Sequence, residues 1–218
     1  MNMPDGHTEP FSAYTGAEIT EEMISEAIEL DHMVYPPEFW ADLDTCLSWR
    51  DRNADIYVMV KDNATGRIVG YLNIMPLYEE TFERMMSGTV IDVSLVADDL
   101  AMYDLPDCMY LYVSSAVTHP GYRHTTVLRC LLDGFYGKLI KLSEDGIYFK
   151  EMFADAVSPE GEKLCRYAGM QLRHSSEHGS KLYSVSLLPP KIRPTTQVAR
   201  KLFSIYEEYQ KIMDKYNL

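Results

Sequence analysis

Residues 113–142 constrain the fold of this chain more than any other stretch of its sequence. The segment begins with an uncharged run, VSSAV, and breaks at a turn-forming Thr-His-Pro-Gly sequence at 118–121. Beyond the turn, apolar residues recur at the spacing of one helix face. These residues are Leu128, Leu131, Phe135, Leu139 and Leu142. The pattern predicts a strand, a turn and a buried helix in direct succession.

The turn and helix of this segment are locally basic in an acidic protein. Between residues 119 and 141 the chain carries four Lys or Arg and a single Asp, whereas its formal net charge is -13. The first turn of a helix offers free backbone N–H groups and the positive end of the helix dipole to an anion. We interpret the segment as a phosphate-binding site.

Composition limits the organisation and the classes of partner. A chain of 218 residues with 46% hydrophobic residues can bury one sizeable core. We expect a flexible N-terminus at 1–10, one domain at 11–190 and an amphipathic helix at 191–218. A pI near 4.8 argues against nonspecific nucleic-acid binding, which needs excess Lys and Arg. It suits a cationic acceptor such as an amine, although acidity also serves solubility alone.

The cysteines and the hydropathy indicate a cytoplasmic protein without metal or membrane contacts. Cys46, Cys108, Cys130 and Cys165 lie far apart without a CxxC pair, as expected of free thiols in a reducing compartment. No apolar run approaches the roughly 18 residues that a membrane span needs. His174 and His178 have the i,i+4 spacing of helix-borne metal ligands, but their surroundings favour a solvated loop.

Periodicity and turn signals predict the remaining elements. Thr20 caps a helix that ends before Pro36, and the turn at 62–66 joins the two strands of a hairpin. The predicted strands are 11–17, 56–60, 67–75, 109–117, 146–157, 170–173 and 181–188. The predicted helices are 20–35, 41–52, 79–86, the one within 113–142, 159–168 and an amphipathic helix from 195 onward. That last helix either docks on its own domain or forms a homodimer contact.

An aromatic loop precedes the second helix. The sequence YPPEFW at 35–40 contains Tyr35, Phe39 and Trp40. Loops carry specificity and aromatic rings bind organic groups, so these residues are candidates for the wall of an acceptor site. The alternative is that Phe39 and Trp40 pack into the core.

This order of elements, with an Arg-led helix after a Pro-containing turn at its centre, resembles the GNAT N-acetyltransferase family over residues 11–188. The best local matches are IVGY at 68–71, AVTHPGYR at 116–123 and LCRYAGM at 164–170. The resemblance implies an α/β (α+β) fold with a central mixed, mostly antiparallel sheet. The sheet would contain a splayed strand pair and be flanked by helices.

The resemblance also implies a binding mode for acetyl-CoA or another acyl-CoA. Backbone groups of Ala116 and Val117 would pair with the pantetheine arm, and an Arg/Gln-x-x-Gly-x-Gly/Ala loop would hold the pyrophosphate. The residues that match this loop are Arg123, His124, Thr125, Thr126 and Val127. The glycine positions of the family pattern are occupied here by Thr126 and Leu128, and a Cβ at such a position keeps phosphate from the backbone amides.

Catalytic residues follow from the same resemblance. Cys165 stands where many members have a tyrosine that protonates the leaving thiolate, and Ser158 stands where an Asn often contacts pantetheine. Cys165 is then an acid or an inert buried thiol, with Tyr167 as the nearby substitute. The central strand has no carboxylate but contains Tyr110 and Tyr112, of which we select Tyr112 as a catalytic candidate. The base would be Glu79, Glu80, Asp92 or a water molecule.

The sequence therefore predicts a metal-independent, acyl-CoA-dependent N-acyltransferase that acetylates an amine of a small molecule or peptide. The altered glycine positions leave a second hypothesis open. In that hypothesis the chain keeps the fold but catalyses nothing, and serves as a CoA-sensing or protein-binding module.

Overall fold

A mixed β-sheet forms the centre of the computed structural model, which describes residues 9–90, 94–175 and 180–216. The strands in these ranges are β1 (Phe11–Thr15), β2 (Tyr57–Asp62), β3 (Ile68–Leu77), β4 (Asp107–Thr118), β5 (Ile147–Ala156), β6 (Gln171–Ser175) and β7 (Lys181–Ser186). Their order across the sheet is β1-β2-β3-β4-β5-β7-β6. Strands β4 and β5 pair in parallel, and the other neighbours in this order pair antiparallel. The predicted mixed, mostly antiparallel sheet is confirmed.

Helices cover both faces of the sheet. They are α1 (Glu21–Val34), α2 (Leu43–Arg52), α3 (Glu79–Met86), α4 (Val127–Glu144), α5 (Pro159–Tyr167) and α6 (Gln197–Tyr216). One core layer lies under α1 and α2 and contains Ile24, Trp49 and Tyr71. The other lies under α4 and α6 and contains Leu131 and Phe203. Alternate residues of each strand supply the two layers.

Strands β4 and β5 separate at one end, which confirms the predicted splay. Their pairing runs from Asp107 opposite Ile147 to Tyr112 opposite Phe153 and stops there. Beyond that point β4 continues to Thr118 beside β3, with a register shift opposite Asn73 and Ile74. The end of β5 continues beside β7. The diverging strands leave a wedge-shaped opening in the sheet.

Helix α4 packs closely on the sheet because glycines lie on both sides of the contact. A Cβ added to Gly70 on β3 would lie 2.9 Å from the Val127 side chain, and one added to Gly134 on α4 would lie 2.9 Å from the Val58 side chain. Real Cβ atoms do not approach this closely, so both glycines set the depth of α4. The start of α4 is thereby fixed beside the opening.

The predicted elements are present with bounds shifted by a few residues, and two details differ. Leu128 was expected on the buried face of α4 but is 39% exposed, because Val127 fills the sheet side of the first turn and Leu128 borders the open cavity. His174 lies in β6 rather than in a loop, whereas His178 and residues 1–8 lie outside the described residues. Helix α6 docks on its own chain, burying Leu202 and Tyr206.

Candidate active site

A cavity of about 520 Å³ passes through the opening between β4 and β5. One part of its lining comes from α1, α2 and the loop at 35–42, and another part comes from α4 and α5. Residues 113–118 of β4 and 154–157 at the end of β5 lie between the two parts. Two ligands that enter from opposite faces of the sheet would therefore meet at the splay.

The exposed edge of β4 presents backbone groups to this cavity. The His119 N–H donates to the Val69 carbonyl at 2.9 Å, and backbone groups of a strand alternate between its two sides. By this alternation Val117 directs its N–H and C=O toward β3, whereas Ala116 and Thr118 direct theirs into the splay. All three residues line the cavity. Ala116 is thus positioned for the predicted backbone pairing, and Thr118 is an additional candidate.

The turn before α4 is held by short-range hydrogen bonds. The Thr125 hydroxyl donates to the Tyr122 carbonyl at 2.6 Å and accepts from the Val127 N–H at 3.3 Å. The Tyr122 hydroxyl donates to Asp62 at 2.5 Å and holds the pKa of that carboxyl below its ordinary value. His124 adopts a positive φ of 69°, which is uncommon for a residue with a side chain. The turn is therefore a defined structure.

The predicted anion-binding residues stand together at this turn. Arg123, His124, Thr125 and Thr126 are exposed, and Val127 is buried beneath them. Thr126 is the N-cap residue of α4 without a side-chain capping hydrogen bond. Leu128 lines the cavity, so a branched side chain occupies the position where the family pattern has a small residue.

A second groove, also of about 520 Å³, adjoins this turn. It lies between the first turns of α4 and α6 and is lined by Thr125, Arg129, Thr196 and Arg200 among others. The two guanidinium groups bring positive charge next to the predicted phosphate site. Arg200 was missed by sequence reasoning, since nothing in the amphipathic pattern of α6 indicates which residues face α4.

Cys165 and Ser158 both line the cavity on its α5 side. Ser158 caps α5, and its hydroxyl accepts from the Gly161 N–H at 3.0 Å. Cys165 is 6% exposed, and burial raises the pKa of its thiol to about 11. Because the thiol is desolvated, Cys165 is a weaker acid than an exposed cysteine. Its catalytic role stays a prediction.

Tyr112 occupies a different environment from the other candidates. It is 1% exposed, packs against Phe153 with ring centroids 4.9 Å apart, and does not line the cavity. Its neighbour Tyr110 donates to Glu79 at 3.0 Å, and burial raises the pKa of Tyr110 to about 12. Neither Glu79 nor Glu80 lines the cavity. Asp92 lies outside the described residues.

The aromatic loop forms one wall of the cavity. Tyr35, Phe39 and Trp40 all line it, and the residues Phe39 and Trp40 are each 37% exposed. The Trp40 indole N–H donates to the Tyr35 carbonyl at 2.9 Å, and its ring packs against His32 with centroids 3.9 Å apart and the ring planes tilted by 34°. The loop thus lines the cavity, as a wall of an acceptor site would, and Phe39 and Trp40 do not pack into the core.

Sequence reasoning named none of the four carboxylates that line the cavity in the described ranges, which are Asp31, Asp42, Asp155 and Glu160. Two of them, Asp31 and Asp155, are part-buried, whereas Asp42 and Glu160 are exposed. Asp31 on α1 accepts a 2.5 Å hydrogen bond from the Tyr71 hydroxyl, which also lies 2.9 Å from the Ser115 hydroxyl. Burial and the nearby Asp31 raise the pKa of Tyr71 well above its ordinary value. The available signal was the position of Asp31, four residues after Ala27 on the apolar face of α1.

The second carboxylate is Asp155, at the splayed end of β5. Its Oδ2 accepts from the Ser180 hydroxyl at 2.8 Å, whereas its buried Oδ1 has no hydrogen-bond partner within the described ranges. Burial raises the pKa of Asp155. Alternation along β5 places it on the same face as Phe153, which belongs to the α1 layer. An acid inside the run Phe-Ala-Asp-Ala-Val was its signal in the sequence.

Other ligand classes are not indicated by the described residues. Among them, no group of three or more His, Cys, Asp or Glu side chains is arranged to hold a metal ion, and no helix is long and apolar enough to cross a bilayer.

Comparisons with known proteins give structural neighbours only. No family model and no curated protein matches the sequence. Among solved structures, Ard1 from Thermoplasma volcanium matches with a TM-score of 0.53 at 8% identity, over 81% of this chain and 97% of that one. Arabidopsis thaliana Naa50, in complex with the bisubstrate analogue CoA-Ac-MVNAL, matches with a TM-score of 0.51 at 12% identity, over 80% and 97%.

A third structure has a similar extent of match. The loading GNATL domain of CurA from Lyngbya majuscula matches with a TM-score of 0.57 at 9% identity, over 81% of this chain and 98% of that one. Identities this low establish the fold alone. The splayed sheet, the helix arrangement and these neighbours together show that this chain has the GNAT fold, the fold of the N-acetyltransferases Ard1 and Naa50.

Proposed function

We propose that this protein is a cytoplasmic, acyl-CoA-dependent N-acyltransferase that transfers acetyl from acetyl-CoA to a primary amine. The observation that carries the proposal is the cavity through the splay, which opens toward α4 and α5 on one face and toward α1 and α2 on the other. Such a passage lets a thioester and an amine meet at one point while their remaining parts stay on opposite faces of the sheet.

The cofactor would occupy the α4 side. Its phosphates would meet the first turn of α4 and the guanidinium groups of Arg123, Arg129 and Arg200, because helix N-termini and Arg both favour anions. Its pantetheine arm would pair with the backbone of Ala116 and Thr118 and pass Ser158. The structures of Arabidopsis NAA60 with acetyl-CoA and of Naa50 with a CoA conjugate concern the same fold and support the choice of a CoA ligand.

The amine would occupy the α1 side, where Tyr35, Phe39 and Trp40 form one wall. A protonated amine would be attracted to Asp31 and Asp155. Asp155 accepts the proton in our proposal, because burial raises the pKa of its carboxyl and its Oδ1 is free to accept. The Naa50 analogue carries a peptide, so both peptide and small-molecule amines belong among the acceptors to be tested.

The reaction then needs one bond made and one broken. The neutral amine nitrogen attacks the thioester carbon, the carbonyl oxygen takes the negative charge, and backbone N–H groups at the splay stabilise it. Asp155 passes the proton of the ammonium form to solvent before the attack. It then takes the second proton, which the positively charged nitrogen of the tetrahedral intermediate loses as collapse breaks the C–S bond. The CoA thiolate is protonated by Cys165, which regains its proton from solvent. With a thiol pKa of about 11 this last transfer is uphill by roughly 2 units for a leaving thiol of ordinary acidity.

Two measurements on the full chain test the proposal. Calorimetry with acetyl-CoA should show binding below millimolar concentration, and free thiol should appear when acetyl-CoA is mixed with a panel of primary amines. Absence of acetyl-CoA binding by folded protein would refute the proposal.

A noncatalytic CoA-binding protein is the second candidate function. It is favoured by Leu128, whose side chain lines the cavity beside the phosphate turn, and by the raised pKa of Cys165. In that case acetyl-CoA would bind, but no amine in the panel would release free thiol faster than buffer does.

A further inference from the structure

Asn73 on β3 has an unusual position in the acceptor side of the cavity. Its side chain lines the cavity and the residue is 4% exposed. The side-chain Oδ1 is buried and has no hydrogen-bond partner in the part of the chain that the structure describes. An amide oxygen in such a place is an acceptor for which the described residues supply no donor.

The neighbours of Asn73 connect it to the Asp31 carboxylate. Asn73 pairs with Ser115 on β4 and lies two residues after Tyr71 on the same face of the sheet. The Ser115 hydroxyl lies 2.9 Å from the Tyr71 hydroxyl, which donates to Asp31. Asn73 and Asp31 therefore belong to one polar cluster in the cavity, formed with Tyr71 and Ser115, which we call the polar floor.

Apolar groups surround this floor. The walls that α1 and α2 supply to the cavity include Ile24, Ala27, Ile28 and Trp49. A ligand that fills this space removes water from Asn73, and a buried amide oxygen without a hydrogen bond is unfavourable. A purely hydrocarbon amine would leave Oδ1 unpaired, whereas an amine with a second donor would pair with it.

We propose that Asn73 determines acceptor specificity by accepting a hydrogen bond from the acceptor. The acceptor is then a primary amine with a second donor a few atoms away, such as an amino alcohol or the first amide N–H of a peptide. This inference rests on the proposed function, because it places the amine in the α1 side of the cavity.

Equilibrium binding to the full chain tests this without requiring turnover. Two matched pairs serve as calorimetric probes: 3-aminopropan-1-ol against butylamine, and alaninamide against alanine N,N-dimethylamide. We expect the donor-bearing member of at least one pair to bind about tenfold or more tightly. Preference in the first pair identifies an amino alcohol, and preference in the second identifies a peptide-like amide.

Two variants attribute the preference to this residue. Asn73→Leu and Asn73→Ala should both remove the difference within the preferred pair, whereas Thr81→Val, at a buried polar residue of α3 that does not line the cavity, should keep it. Asn73→Leu should also unfold about 2–4 °C above wild type, because it removes a buried unpaired acceptor. This variant therefore stays testable as a folded protein.

Defined outcomes overturn the inference separately from the proposed function. Equal affinities within both pairs, no binding of any probe up to about 10 mM by folded protein, or an unchanged preference in the two Asn73 variants would each reject it. Acetyl-CoA binding and thiol release are measured independently of these titrations. A protein that acetylates amines without discriminating within the pairs would refute the role of Asn73 alone.

Discussion

Replacing Lys138 should change how the stability of the protein depends on pH. Lys138 lies on α4 with its side chain 4% exposed, and its ammonium donates to the carbonyls of Asp55 and Tyr57. Burial lowers the pKa of this ammonium from 10.5 to about 8, against the opposing effect of Asp55. The charged form is therefore less favoured in the folded state than in the unfolded chain.

The sign and size of the effect follow from proton linkage. Between pH 8 and 10.5 the unfolded chain holds a proton on Lys138 that the folded protein has released, so this residue makes stability rise with pH. The full shift corresponds to about 3 kcal/mol, at about 1.4 kcal/mol per pH unit. Buried thiols act in the opposite direction, since their pKa values are raised. The contribution of Lys138 is therefore separated from that of the thiols only by the difference in unfolding free energy between wild type and a Lys138 variant.

The assay is urea denaturation of wild type and Lys138→Met at several values between pH 7 and 10.5. The free energy of unfolding of wild type minus that of the variant should be constant below about pH 8 and should then rise by about 3 kcal/mol. Lys201→Met, at an exposed position on α6, serves as the control and should show no such rise. Parallel curves for wild type and Lys138→Met would refute the reasoning.

Four further predictions concern the site. Arg129→Ala and Arg200→Ala should each weaken acetyl-CoA binding about tenfold at low salt, as measured by calorimetry, and should make the affinity less dependent on salt. An affinity and a salt dependence equal to those of the wild type would exclude a phosphate contact. Leu128→Ala should tighten acetyl-CoA binding several-fold, since it shortens the side chain beside the phosphate turn, and weaker binding would contradict this. Asp155→Asn should lower kcat/KM about 10²–10⁴-fold while acetyl-CoA affinity is unchanged. The activity of the wild type should fall as pH drops through the pKa of Asp155, which burial raises above 3.8. If the activity of Asp155→Asn falls over the same acidic pH range, Asp155 is excluded as the base. Cys165→Ala should reduce kcat without weakening acetyl-CoA binding, and unchanged turnover would assign Cys165 to the core.

Local signals account for the parts of the fold that the sequence predicts well. Thr20 accepts from the Met23 N–H and caps α1, and helix α3 spans the predicted residues 79–86. The depth of the splay, by contrast, is not encoded by local signals. It depends on where β4 and β5 stop pairing, after Tyr112 and Phe153, and no local residue pattern specifies that point. The exposure of Leu128 has the same origin, since the periodicity of α4 does not show that this residue borders an open cavity.

The contrast between local signals and tertiary packing is stronger for the candidate site. Cys165, Ser158 and the turn at 123–127 were predicted because each belongs to a contiguous motif. Asp31 and Tyr71 are 40 residues apart in the chain, and their contact arises only from the packing of α1 on β3. Arg200 approaches the α4 turn through the docking of α6. Such residues become candidates once tertiary structure is known, because no spacing rule connects them.

The splay has a mechanical consequence for the sheet. Strands β1 to β4 are joined to β5, β7 and β6 by a parallel ladder of six residue pairs between β4 and β5. A pantetheine arm bound in the opening would extend this seam and connect the two halves where the protein itself does not. Ligand occupancy should therefore slow amide hydrogen exchange in the end of β5 and in β7, and should make the two halves unfold as one cooperative unit.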